Sequence, residues 1–294
     1  MRRALPAFVK ISVGGSKTVR GYPWMRVAPF VGGLIIVPAV FTAVYLFFVR
    51  THIGQVIDER AYTGAAVWQQ GIAPFALRYL DVVPVLSVIL GLVTALIVTA
   101  IRRNWTVLIV GTGVALAATV STQILKSAVL GREHLGVGGY LENSLPSGHT
   151  TVAASAALLV FLVSSRRLRP VVAVLGAAFA IVAGMSTLVN QWHRPSDVIA
   201  ALLVVAFWGC IAGMVLAQLP SVHATDGPHR RSPAVPWLAS ACVAVSALAF
   251  AASYFYAVTG KSHLFIAYAG AIAAIVSAGL LLAVAANWAF FRLR

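Results

Sequence analysis

The run Val198-Ile199-Ala200-Ala201-Leu202-Leu203-Val204-Val205-Ala206-Phe207-Trp208-Gly209-Cys210-Ile211-Ala212-Gly213-Met214-Val215-Leu216-Ala217 carries no charge. A span of about 20 mostly apolar residues is what an α-helix needs to cross a bilayer. Just before it stands Trp192-His193-Arg194-Pro195-Ser196-Asp197, a polar cluster at the mouth of an apolar segment. Working outward, comparable runs occur near 27–49, 82–101, 105–125, 147–165, 170–190, 197–219, 236–258 and 264–290. The 294 residues are 60% hydrophobic and only 10% charged, whereas a soluble domain carries about 25%. That apolar surplus has no aqueous surface to face, so lipid must be its solvent. The fold class is therefore all-α, a polytopic transmembrane helical bundle. Glycines and prolines inside the runs are compatible with membrane helices.

The basic residues set the orientation. With the N-terminus inside, the inner connectors hold 15 of the 22 Lys and Arg residues and the outer ones 7. Every inner connector is basic, and the alternation holds through eight spans. Both termini are expected in the cytoplasm, with residues 1–26 a basic cytoplasmic tail and no cleavable leader. Of the seven acids only Asp226 falls inside. Lys126, Arg132, His149, His193 and Asp197 all fall at the outer face. The connector from Thr51 to Tyr79 is read as lying along the interface, and 220–235 as a polar inner linker.

The net charge of +15 is spread over short connectors instead of gathering on one surface. This argues against nucleic acid and for anionic headgroups. Cys210 and Cys242 lie inside apolar runs and read as small packing residues.

Pro146-Ser147-Gly148 opens a helix, where unpaired amides and the positive helix end favour an anion. Gly148 permits close backbone approach, Ser147 offers a hydroxyl, and His149 follows at once. Lys126 and Arg132 make a cationic clamp for phosphoryl oxygens. His193 and Asp197 are four apart with Pro195 at a first helical position, so the carboxylate fixes the ring tautomer and leaves the other nitrogen as nucleophile. These parts suit in-line phosphoryl transfer, with His193 attacking phosphorus and His149 serving the leaving oxygen and then water. Lys and Arg repel a cation, so no metal or other cofactor is expected.

Lys126…Arg132, Pro146-Ser147-Gly148-His149 and Ser186…His193…Asp197 together resemble the three-part signature of the type-2 phosphatidic acid phosphatase superfamily. The resemblance covers roughly residues 80–219. It implies a six-helix lipid phosphatase core (27–219) plus two additional C-terminal spans (236–294). It also implies a nucleophile at His193, its partner at Asp197, an acid at His149, and phosphate binding by Lys126, Arg132, Ser147 and Gly148. The substrate would be a lipid phosphate or diphosphate, polyprenyl favoured, cleaved at the extracytoplasmic face of the plasma membrane.

Two positions depart from the signature. Thr187 stands where the third motif has Arg, and Glu133 where the first has Pro; the Lys-to-Arg spacing is also one residue short. Losing such an arginine removes a charge-assisted contact of about 1.5–3 kcal/mol. Arg194 is the expected substitute, and Glu133 is read as a group for a hydroxylated headgroup. The rival readings are a catalytically silent transporter or scaffold on the same fold, and a lipid phosphotransferase.

Overall fold

In the computed structural model, residues 24–66, 82–139, 142–219, 234–261 and 263–293 are described. Most of the 1–26 tail, most of the 220–235 linker and the second half of the Thr51–Tyr79 connector lie outside them. Among the described residues there is no strand. The helices are α1 (Trp24–Arg50), α2 (His52–Ala65), α3 (Val83–Arg102), α4 (Trp105–Ile124), α5 (Gly148–Val163), α6 (Arg169–Val189), α7 (Pro195–Ala217), α8 (Ala234–Val258) and α9 (Leu264–Phe291). A π-helical turn, Leu125–Val129, continues α4.

Seven of these, all but α2 and α5, are long and apolar enough to cross a membrane, so the chain is a multi-pass membrane protein. The fourth expected span, 147–165, is the 16-residue α5. At 1.5 Å per residue it reaches roughly 24 Å, short of a hydrocarbon core of about 30 Å. It can be short because it is sheathed by α3, α4, α6 and α7, and the approach to it, Ser144, Leu145 and Ser147, is buried. The lipid-facing surface is bare apolar side chain: Ile35, Ile97, Ile109, Trp237 and Leu248 are each more than half exposed.

Local chemistry marks the helix ends. Thr51 caps α2 by accepting from Gly54 N–H (3.0 Å), and Asn104 caps α4 through Val107 N–H. Arg103 turns left-handed (φ 54°) to stop α3, so only two residues separate α3 from α4. Polar contacts then pin helices that apolar packing alone would leave free to slide. Thr122 on α4 meets Thr151 on α5 at 3.0 Å, and Trp208 on α7 donates to Ser121 on α4 at 3.1 Å.

The helix α2 had no span of its own in the sequence. It lies across one end of the bundle, against α1, α6, α7, α8 and α9. At the opposite end gather the basic side chains of the connectors: Arg166 donates to the Leu293 carbonyl, and the Arg169 guanidinium lies between the Phe161 and Phe290 rings. The C-terminal helices differ from each other in setting. The last, α9, packs on α2, α6 and α7 as well as on α8, with Phe290 edge-on to Phe30 of α1 at 5.0 Å.

At the crossing of α1 and α7, a Cβ on Gly213 would fall 2.1 Å from the Phe30 ring. Phe30 is 1% exposed and packed edge-on to Phe290, so moving it breaks that ring pair. Gly213→Val is therefore expected to cost about 1–3 kcal/mol, read as a lowered melting temperature of the detergent-solubilised protein. An unchanged melting temperature would mean that α1 is not seated on α7 in this way.

Candidate active site

The N-termini of α5 and α7 meet at the same end of the bundle. Ser147 N–H donates to the Asp197 carbonyl (3.0 Å), which ties the Pro146-Ser147-Gly148 turn to the first turn of α7. Ser147 is fully buried and caps α5: its hydroxyl oxygen accepts from Thr150 N–H (3.4 Å) and from the Thr150 hydroxyl (3.1 Å). The first turn of a helix leaves backbone amides with no acceptor one turn back, and their positive end favours an anion. Gly148 is partly exposed there, and a Cβ on it would come 3.4 Å from the Gln123 amide nitrogen.

His149 and His193, 44 positions apart in the chain, have ring centroids 6.4 Å apart. The fold thus sets the two imidazoles side by side at one end of the bundle. The Trp192 ring lies 5.1 Å from His149 and walls the gap on one side. His193 Nδ1 sits 3.2 Å from Asp197 Oδ2, which leaves Nε2 as the nitrogen away from the carboxylate. The same oxygen accepts from Ser144 Oγ (2.6 Å) and Arg194 N–H (2.9 Å). Asp197 is 1% exposed, and all three contacts gather on Oδ2. The larger apolar cavity, about 650 Å³, runs along α1, α5, α6, α7 and α9, and none of the expected site residues lines it.

Lys126 sits on the π-turn, a local widening found disproportionately at functional sites, and is close enough to feel the Asp197 charge. Arg132 is half-buried in the loop after it. Burial and the neighbouring Arg194 charge lower the Arg132 pKa, while Asp58, Asp197 and Glu59 oppose that shift. Among the described residues neither Lys126 nor Arg132 makes an ion pair. Glu133 does not neutralise Arg132: it pairs with Arg50 at 3.3 Å, while its carbonyl takes a hydrogen bond from Gln55 (2.9 Å).

Arg194 differs from the expectation placed on it. Its side chain is 1% exposed, with Nε and Nη2 both 2.9 Å from Glu59 Oε2 and Nη1 3.5 Å from Ser144 Oγ. A guanidinium held this way braces α7 against α2, and it is not laid open to a ligand. The other departure, Thr187, is fully buried. Its hydroxyl donates to Gly184 O (2.7 Å), and its carbonyl accepts from Trp192 N–H (2.9 Å) and His193 N–H (3.3 Å). Position 187 thus anchors the turn that carries His193.

Several supporting residues were not legible as such. Asn143 donates to the carbonyls of Lys126, Leu130 and Leu145, stapling the clamp loop to the approach of α5. On α2, Asp58 accepts from Ser196 N–H (3.2 Å) and Ser196 Oγ (2.5 Å), capping α7 from outside it. Tyr62 and Gln191 exchange two hydrogen bonds of 2.5 Å, holding Gln191 at φ 60°, a conformation that costs about 1–3 kcal/mol and needs such support. Asp58 and Glu59 had signalled only an outer-side location. Among the described residues no three His, Cys, Asp or Glu side chains form a metal-binding group.

Two outcomes follow. Glu59→Gln strips the counter-charge from buried Arg194 and is expected to destabilise at the lower end of about 3–5 kcal/mol, since Glu59 keeps 15% exposure. Arg132→Gln should change stability by less than about 0.5 kcal/mol; chemical denaturation in detergent separates the two. Burial, reinforced by the Asp197 charge, pushes the Asp58 carboxyl up to about 7. The folded protein then keeps a proton that the unfolded chain has released above pH ~4. Stability should fall as pH rises from about 4 to 7, by up to ~1.4 kcal/mol per unit. Asp58→Asn should flatten that slope, and a slope unchanged in the variant would refute the assignment.

Searches of curated proteins and of solved structures return no match to the chain. The family comparison does, and it covers the residues that the geometry brings together. Residues 107–221, which hold Lys126, Arg132, the Ser147-Gly148-His149 turn and the His193–Asp197 pair, match the PAP2 superfamily.

Proposed function

We propose that this protein is an integral membrane phosphatase that hydrolyses a lipid phosphate or diphosphate, polyprenyl favoured, at the extracytoplasmic face. The observation that carries the reading is the 6.4 Å separation of the His149 and His193 rings, with Asp197 on one nitrogen of His193. The PAP2 match supports phosphatase chemistry on lipid phosphates. The side assignment rests on the basic connectors at the end opposite the site.

In this account His193 Nε2 attacks phosphorus in line as the bond to the lipid oxygen breaks. His149 gives its proton to that oxygen, and the phosphoryl group rests on His193. Water then attacks phosphorus, His149 takes a proton from it, the P–N bond breaks and phosphate leaves. Lys126, Arg132 and the amides at the start of α5 stabilise the charge on the equatorial oxygens, with the Gly148 backbone completing the cradle and the Ser147 hydroxyl holding its turn through Thr150. Arg194 acts as a positioning residue through Asp197 and Ser144. No step calls on a metal. The site lies at the ends of membrane helices, so the lipid tail stays in the bilayer while its headgroup enters.

The test is phosphate release by purified protein from a polyprenyl phosphate or diphosphate and from phosphatidic acid in mixed micelles. Release is expected to be insensitive to EDTA and to fall at least about 10³-fold in His193→Ala, since a nucleophile and its base act as a unit. No release from any lipid phosphate would favour a silent transporter or scaffold. Transfer only to an added alcohol or sugar would make the protein a phosphotransferase.

A further inference from the structure

A second cavity, of about 370 Å³, lies where the outer end of α1, α2, the start of α7, α8 and α9 converge. Neither histidine of the site, nor Lys126 or Arg132, lines it. Its character is unusual for the interior of a membrane protein, where polar groups are expensive and mark function. Asp58 is the one ionisable group among its described lining, and hydroxyls of Ser196, Ser246, Ser253 and Ser277 join it from three helices. Ser253 is 4% exposed, so its hydroxyl lines the cavity from well inside the helix packing.

Asp58 receives two hydrogen bonds from Ser196, but no Lys, Arg or His among the described residues forms an ion pair with it. A charged occupant of this cavity would therefore have to be a cation. A bare divalent metal is a poor match, since it wants about six oxygen ligands in a tight shell and one carboxylate is on offer. Phe48 and Phe250 line the cavity together, with ring centroids 6.3 Å apart in a T-shaped pair. Aromatic faces beside a carboxylate are how proteins hold alkylammonium groups.

We propose that this cavity binds an organic ammonium group, with Asp58 as its counter-ion, Phe48 and Phe250 as its aromatic walls and Ser246 and Ser253 as hydrogen-bond partners. Binding links to the phosphoryl site through one residue, since Ser196 bonds Asp58 and precedes Asp197. It also gives the two C-terminal helices a role, because α8 and α9 build most of the wall. Asp58 must be ionised to act, so affinity rises as pH passes through 7. The charged groups that bear on it are Arg194 and Asp197 of α7, Glu59 of α2 and Arg132 of the clamp loop.

The source of the ammonium is either a lipid headgroup or a free amine, and two arms separate them. Tetramethylammonium binding to the detergent-solubilised protein is measured by calorimetry. Retention of phosphatidylethanolamine over phosphatidylglycerol is measured by native mass spectrometry of protein from nanodiscs. At least one ammonium is expected to bind, by tetramethylammonium for a free amine and by phosphatidylethanolamine alone for a lipid. Its affinity should fall at least about tenfold in Asp58→Asn, and roughly tenfold between pH 8 and pH 6. Ala271→Leu fills the cavity from α9, leaves the Asp58–Ser196 cap intact and should also abolish binding. Neither ammonium binding, or binding that survives either substitution, overturns the proposal. The readout is ligand binding, so it stands apart from whether His193 attacks phosphorus.

Discussion

The Asp197 carboxylate is the joint on which the site turns. One of its oxygens takes hydrogen bonds from His193, Ser144 and Arg194, and its backbone carbonyl takes the Ser147 amide. Three stretches of chain are thereby locked at one point: the approach to α5, the turn after α6 and the first turn of α7. A buried carboxylate in a low-dielectric interior is tolerable only when donors surround it, as these three do on one oxygen. The same arrangement that makes the burial tolerable also orients the ring that faces His149. Structure and chemistry here rest on one set of bonds.

That joint is braced from outside by α2. Asp58, Glu59 and Tyr62 each take a partner within the stretch from Gln191 to Ser196, so one helix lying across the bundle end fixes the turn carrying His193. The turn that carries His193 is thus held without a cation at position 187. Thr187 serves the turn through its carbonyl, and the buried Arg194 is spent on Glu59. In the proposed function, the cations left to meet phosphate are Lys126 and Arg132.

Much of the bundle was readable from the chain because transmembrane helices are specified by long apolar runs, and the expected limits fall within a few residues of the observed ones. The helix α5 keeps to its expected limits too, 147–165 against Gly148–Val163, but is the shortest of the apolar helices. Its burial by four neighbours is a tertiary fact that the apolar run alone does not show. The convergence of His149 and His193 was legible through spacing and charge placement. The roles of Asp58, Glu59 and Asn143 were not. A carboxylate in a mixed connector looks the same whether it faces water or caps a helix far away in sequence, as Asp58 does for Ser196, 138 residues on. Arg194 failed for a related reason: proximity to His193 in sequence says nothing about which way a guanidinium turns.

The most direct test of the account is an experimental structure of the protein with orthovanadate, a mimic of the pentacoordinate phosphoryl group. The account predicts vanadium bonded to His193 Nε2, His149 on the opposite apical oxygen, and Lys126 and Arg132 on the equatorial ones. Vanadate bound elsewhere, or held at His193 with His149 turned away from the apical oxygen, would contradict it.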